Sequence, residues 1–140
     1  AGCYQPPEQP KEISFDTIAK EAYSRYAENK ITGISNSDDW ESIWALNTFG
    51  STSTKPLPEI DFSKYMVIAA FQGEKRTTGY SIEITKVVET RKRYDVYIKE
   101  TSPGKKCFVA ESLSQPYHMI KIEKLNKTIN YNVEKEASRC

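Results

Sequence analysis

The segment YMVIAAF, residues 65–71, limits the possible folds of this chain more than any other part of the sequence. Its side chains are all apolar or aromatic, so it has no polar face to offer water. A strand of this composition is covered on both faces, which places it at the centre of a sheet. It is also the longest apolar run in the chain, far below the ~20 residues that a membrane-spanning helix needs. We therefore predict a buried central strand.

Polar and apolar residues alternate on both sides of this segment, as they do in half-buried strands. Residues 13–19 are predicted as the first strand and residues 30–35 as the second. Two hairpins are predicted to follow the central strand. The first pairs residues 81–88 with 94–99 around a basic turn at 91–93, and the second pairs 118–123 with 128–134 around 125–127.

A single amphipathic helix is predicted between the second strand and the central one. Asn36 or Ser37 can cap it, because a short polar side chain accepts a hydrogen bond from an unpaired N–H of the first turn. Asp38 and Asp39 then place negative charge at the positive end of the helix dipole. The face that would hold this helix on the sheet comprises Trp40, Ile43, Trp44 and Asn47, and Gly50 marks the helix end.

These elements together predict a single α+β domain at residues 12–140, preceded by a tether at residues 1–11. We expect six or seven mostly antiparallel strands in one sheet, with one main helix. Because the sheet is long relative to a single helix, it is expected to curl into a roll or half-barrel.

The first residues, AGC, match the last three positions of a lipobox, in which small residues precede the cysteine that receives diacylglycerol. The stretch YQPPEQP after Cys3 is rich in proline and predicts a stiff tether that holds a domain off a surface. Ala1 and Gly2 are also consistent with a cloning remnant. We expect an extracytoplasmic protein, lipid-anchored or secreted, whose one contact with a membrane is a lipid on Cys3.

The cysteines Cys3, Cys107 and Cys140 allow three single pairings, each of which leaves one thiol over. If Cys3 carries a lipid, Cys107 and Cys140 form the remaining intramolecular bridge. Without a lipid, Cys3 could pair with Cys140. Cys107 could also be a small apolar residue on a short strand at residues 106–110. No Cys-x-x-Cys or Cys/His cluster occurs, so neither a zinc site nor a redox pair is predicted.

Charge and motif content argue against several classes of function. Lys and Arg total 20 against 19 for Asp and Glu, and this near balance does not favour a nucleic-acid binder. The one histidine, His118, lies in a predicted strand with no neighbouring nucleophile, and we interpret it as a surface or half-buried residue. No metal-binding loop is present. We therefore predict a protein that is not an enzyme and has no cofactor.

The glycine-flanked stretch GEKRTTG, residues 73–79, is interpreted as a connection between strands. It lacks the Gly-Lys-Ser/Thr ending of a phosphate loop, and it leads into a strand where a phosphate loop leads into a helix. Gly73 and Gly79 are expected to permit turn or bulge conformations. Lys75 and Arg76 are expected to be exposed at the tip.

Several segments together resemble the PrcB C-terminal domain family. They are residues 37–44, 60–73, 78–84, 101–104 and 114–122, and the resemblance extends over residues 12–135. It implies a secreted or lipid-anchored accessory protein, because the family takes its name from a lipoprotein subunit that accompanies a surface protease. It implies no catalytic residues. Thr78 stands where the family often has glycine, and it would crowd a partner backbone that approached closely.

We accordingly expect a cell-surface or periplasmic accessory domain that binds another protein, such as a protease or an envelope component. The alternative is a module that binds a small ligand or a glycan on the concave face of the sheet. The residues expected to contact a protein partner are Lys75, Arg76, Thr78, Tyr80, Pro116 and Tyr117.

Overall fold

A computed structural model describes residues 9–48 and 55–140. Within these ranges the chain forms eight strands and one helix, and this helix is not long and apolar enough to cross a membrane. The elements in chain order are β1 (Lys11–Ile13), β2 (Asp16–Glu21), β3 (Lys30–Ile34), α1 (Ser37–Thr48), β4 (Tyr65–Phe71), β5 (Ser81–Glu89), β6 (Arg93–Ser102), β7 (Tyr117–Glu123) and β8 (Thr128–Ala137).

The strands form two four-stranded sheets that pack face to face. One, the helix-covered sheet, has the strand order β2-β7-β4-β3 and carries α1 on its outer face. The other, the open sheet, has the order β1-β5-β6-β8. Neighbouring strands are antiparallel except β6 and β8, which are parallel. The α+β class and the mostly antiparallel pairing are confirmed, whereas one curled sheet of six or seven strands was a wrong prediction.

Strand β4 is central, as its composition predicts. It lies between β3 and β7, and its six residues from Met66 to Phe71 are all buried. Met66, Ile68 and Ala70 face the open sheet, and the intervening residues pack with the tryptophans of α1. Two apolar layers therefore meet on one strand.

The helix begins where the sequence predicts. Asn36 caps it, because the Asp39 backbone N–H donates to its Oδ1 at 2.9 Å. Trp40 and Trp44 are buried against the sheet, and their indole N–H groups donate to the carbonyls of Pro58 and Lys55. The predicted role of the Asn47 side chain and the predicted stop at Gly50 lie outside the described part of the molecule.

The predicted strand at residues 13–19 is in fact two strands in different sheets. Ile13 pairs with Val87 of the open sheet, whereas Asp16 pairs with Lys121 of the helix-covered sheet. The chain changes sheets at residues 14–15, where Phe15 packs against the core between the sheets. The alternating pattern continues through this crossing, so the pattern itself does not mark the break.

The predicted hairpin of residues 118–134 is also wrong. Strand β7 pairs with β2 and β4, while β8 leaves for the other sheet and runs parallel to β6 from Arg93↔Thr128 to Ser102↔Ala137. Ile129 and Tyr131 of β8 pack against the core from that side. Alternation reports which face of a strand is buried, but it does not report which strand is the neighbour.

His118 differs from its predicted position, because it is only 2% exposed. Its Nδ1 accepts a hydrogen bond from the Ile84 backbone N–H at 2.9 Å, so it links β7 to β5 of the facing sheet. With Nδ1 occupied as an acceptor, the neutral ring carries its proton on Nε2, which lies 2.9 Å from Thr17 Oγ1. Burial, aided by the positive charge of Lys20 and opposed by Glu83, lowers the pKa of His118 from 6.5 to about 4.

This geometry predicts a loss of stability in mild acid. Because the folded-state pKa is lower than the ordinary one, the contribution of His118 is complete above pH 6.5 and is lost as the pH falls towards 4. The loss amounts to at most about 3 kcal/mol in the free energy of unfolding, at ~1.4 kcal/mol per unit of pKa. Urea unfolding from pH 7 to pH 4 measures it.

The matched variant is His118→Asn, whose amide oxygen can accept from Ile84 but does not titrate. We expect this variant to be less stable than the wild type at pH 7 and the difference to shrink towards pH 4. The carboxylates titrate in both proteins and cancel in the comparison. A difference that stays constant across the range would contradict the assignment.

Candidate binding face and end cleft

The connection between β4 and β5 is a tight loop, as predicted. Gly73 and Gly79 have φ angles of 93° and 96°, in the left-handed region that favours glycine. A Cβ atom on Gly79 would lie 3.0 Å from the Cβ of Pro103 and 3.2 Å from a methyl of Val109. The positive φ angle and the lack of room for a Cβ atom therefore both favour glycine at residue 79.

This loop is fastened to the segment between β6 and β7, residues 103–116, which we term the long connection. Lys75 and Ser114 exchange two backbone hydrogen bonds, at 2.8 and 2.9 Å. The Thr78 N–H donates to the Ala110 carbonyl, and the Ala110 N–H donates to the Thr78 hydroxyl. Ser114 Oγ also donates to the Thr77 carbonyl at 2.8 Å, so several hydrogen bonds hold the two segments together.

A disulfide anchors the long connection at another point. Cys107 is bonded to Cys140, with the two Cα atoms 5.0 Å apart, which decides between the pairings that the sequence left open. Cys3 lies outside the described residues. Cys107 is not on a strand, so the short strand predicted at residues 106–110 is absent. Next to the bridge, the Ser138 N–H donates to the Ser102 carbonyl at 2.8 Å.

Three large apolar residues of the long connection are exposed, and we call them the apolar patch. Phe108 is fully exposed, while Leu113 is 56% and Val109 40% exposed. Three cations in the same two fastened segments are also exposed, namely Arg76, Lys105 and Lys106. The apolar patch and these three cations together are termed the binding face.

The structure separates the residues that the sequence offered as protein contacts. Arg76 is exposed, and the Lys75 ammonium lies 5.4 Å above the ring of half-buried Tyr80. Thr78 is half-buried, with its N–H and hydroxyl used by Ala110. Lys75, Arg76, Thr78 and Tyr80 therefore lie close together in the loop.

Pro116 and Tyr117 are buried, so the expectation that they offer an exposed surface is wrong. Tyr117 begins β7, and its ring lies 6.3 Å from that of Phe71, while its hydroxyl donates to Glu21 at 3.0 Å.

Sequence reasoning missed the apolar patch instead. Its signal was an apolar pair, Phe108 and Val109, within the short strand predicted at residues 106–110.

A polar cleft lies at the end of the sandwich behind the loop. The inward row of β4 runs Met66, Ile68, Ala70 and then Gln72, and the inward row of β6 ends with Ile98 and Glu100. Beyond the last apolar residues the sheets enclose a cleft of about 310 Å³, the end cleft. Its lining includes Gln72, Lys75, Tyr80, Glu100, Ser102 and Lys135.

Gln72 and Glu100 are buried polar residues in the lining of the end cleft. Gln72 is 4% exposed, and its Nε2 donates to the Thr101 carbonyl at 3.1 Å. Its Oε1 has no hydrogen-bond partner among residues 9–48 and 55–140. Glu100 is 8% exposed; Asn29 Nδ2 donates to its Oε1 at 2.6 Å, and Lys135 Nζ lies 3.9 Å from its Oε2.

No group of three or more His, Cys, Asp or Glu side chains comes together in the described part of the chain. The end cleft itself contains two carboxylates, Glu100 and Glu136, with Lys75 and Lys135 near them. Such a lining can bind a charged ligand by ion pairing and hydrogen bonding.

Comparison with known proteins gives one family. Residues 66–123 match the PrcB C-terminal family model. The resemblance predicted from the sequence is thereby confirmed for the segment from β4 to the end of β7. The matched segment contains the loop, the long connection and most of the lining of the end cleft, but not Lys135, Glu136 and Ala137. No curated protein and no solved structure matches the chain.

Removal of the disulfide tests whether it anchors the long connection. We expect the variant Cys107→Ser/Cys140→Ser to lose up to about 4 kcal/mol of unfolding free energy, the chain-entropy value for a loop of this length. We also expect limited proteolysis to cut it first within residues 103–116. The wild type in reductant is the matched control and should behave identically. Equal stability and an unchanged first cleavage site would contradict an anchoring role.

Proposed function

We propose that this protein is a non-catalytic accessory domain that binds another protein through the binding face. The observation that carries the proposal is the position of Phe108, whose side chain is fully exposed next to a disulfide-bonded cysteine. Clustered apolar side chains on a surface are typical of interaction sites. Phe108, Val109 and Leu113 supply three exposed apolar side chains within residues 108–113 of the fastened segment.

The fastening of the binding face supports this role. A segment of 14 residues without regular structure would lose much conformational entropy if a partner had to order it. Here the bonds to Lys75 and Thr78 and the bridge at Cys107 already fix its path. A preorganised surface leaves more of the contact energy for association.

The chemistry of the binding face indicates what the partner offers. An exposed aromatic ring contributes most when it enters an apolar pocket from which water is excluded. Arg76, Lys105 and Lys106 would face the rim of that pocket. A partner with an apolar pocket and acidic residues around it is therefore the best complement.

The family match supports an accessory role. The resemblance implies a domain that accompanies a protease without being the protease, and the match covers the part of the chain that carries the binding face. We also propose an extracytoplasmic location, lipid-anchored through Cys3 or secreted. The Cys107–Cys140 bridge supports it, because disulfides persist in oxidising compartments.

The alternative function, glycan or small-ligand binding on a concave sheet face, has less support. The faces of the two sheets that meet are filled by apolar side chains such as Ile68, Val96 and Ile120, each fully buried. A filled interior leaves no concavity along the sheet. The end cleft lies beyond this filled interior.

The proposal predicts that Phe108 dominates binding of the partner. Immobilised domain is exposed to envelope extract from the source organism, and retained proteins are quantified by mass spectrometry. We expect a protein retained by the wild type to be lost at least about tenfold with Phe108→Asp, as for a central aromatic contact. Lys106→Glu at the rim should weaken retention less and reduce its dependence on salt.

The matched control is Leu46→Asp on α1, because Leu46 is 47% exposed but lies outside the binding face. It should retain the same protein as the wild type. Thermal unfolding of each variant verifies the fold. Undiminished retention by a folded Phe108→Asp variant would refute this binding mode.

A further inference from the structure

The buried end of the end cleft contains hydrogen-bond acceptors that lack enough hydrogen-bond donors. The amide of Gln72 is oriented by its Nε2–H, which donates to the Thr101 carbonyl; in the flipped orientation two oxygens would oppose each other. Its Oε1 is consequently an acceptor, and it is unpaired in the described part of the chain. A buried acceptor without a partner lowers stability, because its hydration is lost and no hydrogen bond replaces it. A ligand that donates hydrogen bonds would relieve this loss.

Glu100 adds negative charge at the same place. Glu100 is 8% exposed, and Asn29 Nδ2 donates a hydrogen bond to one oxygen of its carboxylate. The other oxygen is 3.9 Å from the ammonium of Lys135, whose side chain is 80% exposed. A mostly solvated lysine at that distance compensates a buried carboxylate only weakly. The position next to Glu100 Oε2 therefore favours a second, less solvated cation.

The wall of the end cleft suits the carbon chain of such a cation. Tyr80 is half-buried in the lining, and its ring already lies under the ammonium of Lys75 at 5.4 Å. An aromatic face attracts a cation and also packs against methylene groups. A volume of about 310 Å³ limits the occupant to a small molecule or a single side chain.

We propose that the end cleft binds a primary ammonium group. Glu100 is its counter-ion, Gln72 Oε1 is a further acceptor, and Lys135 is the internal ammonium that competes with it. The ammonium belongs either to a small free amine or to a lysine side chain of a bound protein. The inference does not depend on the proposed function, because none of these three residues is in the binding face.

The probe is n-butylammonium, with butyrate and 1-butanol as controls of equal chain length. We expect saturable chemical-shift changes in the ¹⁵N-labelled domain at Gln72, Tyr80 and Glu100 with the amine. Neither control should produce them. Binding of 1-butanol as strong as that of the amine would overturn the proposal, because it would show that the cleft selects the chain and not the charge.

Three variants separate a binding site from a structural one. Glu100→Gln should weaken amine binding about tenfold, as for loss of a hydrogen-bonded charge. Lys135→Ala should tighten it, by about threefold, because the competing ammonium is gone. Lys92→Ala, an exposed lysine in the turn between β5 and β6 and outside the lining of the end cleft, is the control and should change nothing. Unaltered or weaker binding to Lys135→Ala would overturn the proposal even if Glu100→Gln does not fold.

The source of the ammonium is decided by competition. If it comes from a lysine of the protein partner, saturating n-butylammonium should reduce retention of that partner by the immobilised domain. If it comes from a free amine, retention should be unchanged. Phe108→Asp should bind n-butylammonium normally in either case, so failure of the proposed protein binding and failure of the amine site are distinguishable.

Discussion

The fold depends on the burial of β4 on both faces. A strand without a polar face requires an apolar layer above it and another below, and α1 and the open sheet supply these two layers. Trp40 and Trp44 cover one side, while residues such as Val96 and Ile98 cover the other. Because both layers are built on this strand, its two ends define where the core stops and where polar residues can enter the space between the sheets.

Polar side chains enter the space between the sheets at one end of β4. They differ in how fully their hydrogen bonds are satisfied. His118 has a donor in Ile84 and a neighbour in Thr17, so its burial is compensated in the neutral form. Gln72, next in the inward row after Ala70, has only half of its amide satisfied. The hydrogen bonds of His118 join the two sheets, whereas Gln72 keeps an unpaired acceptor beside the end cleft.

The sequence predicts local features well, because they depend on neighbours in the chain. The burial of residues 66–71, the cap at Asn36 and the glycine conformations at Gly73 and Gly79 follow from composition and local stereochemistry. The crossing at Phe15 and the parallel pairing of β8 do not, since several strands with the same alternation could be neighbours. The end cleft depends on that pairing, because Lys135 of β8 meets Glu100 of β6 only in this topology.

The bridge between Cys107 and Cys140 also has a mechanical meaning. A pull on the chain at Cys140 divides between two routes, the backbone of β8 and the sulfur–sulfur bond to the long connection. The first route loads the parallel ladder between β8 and β6 in shear along its length. The second carries tension directly to the residue beside Phe108. A load applied at Cys140 is therefore shared between the open sheet and the segment that carries the exposed ring.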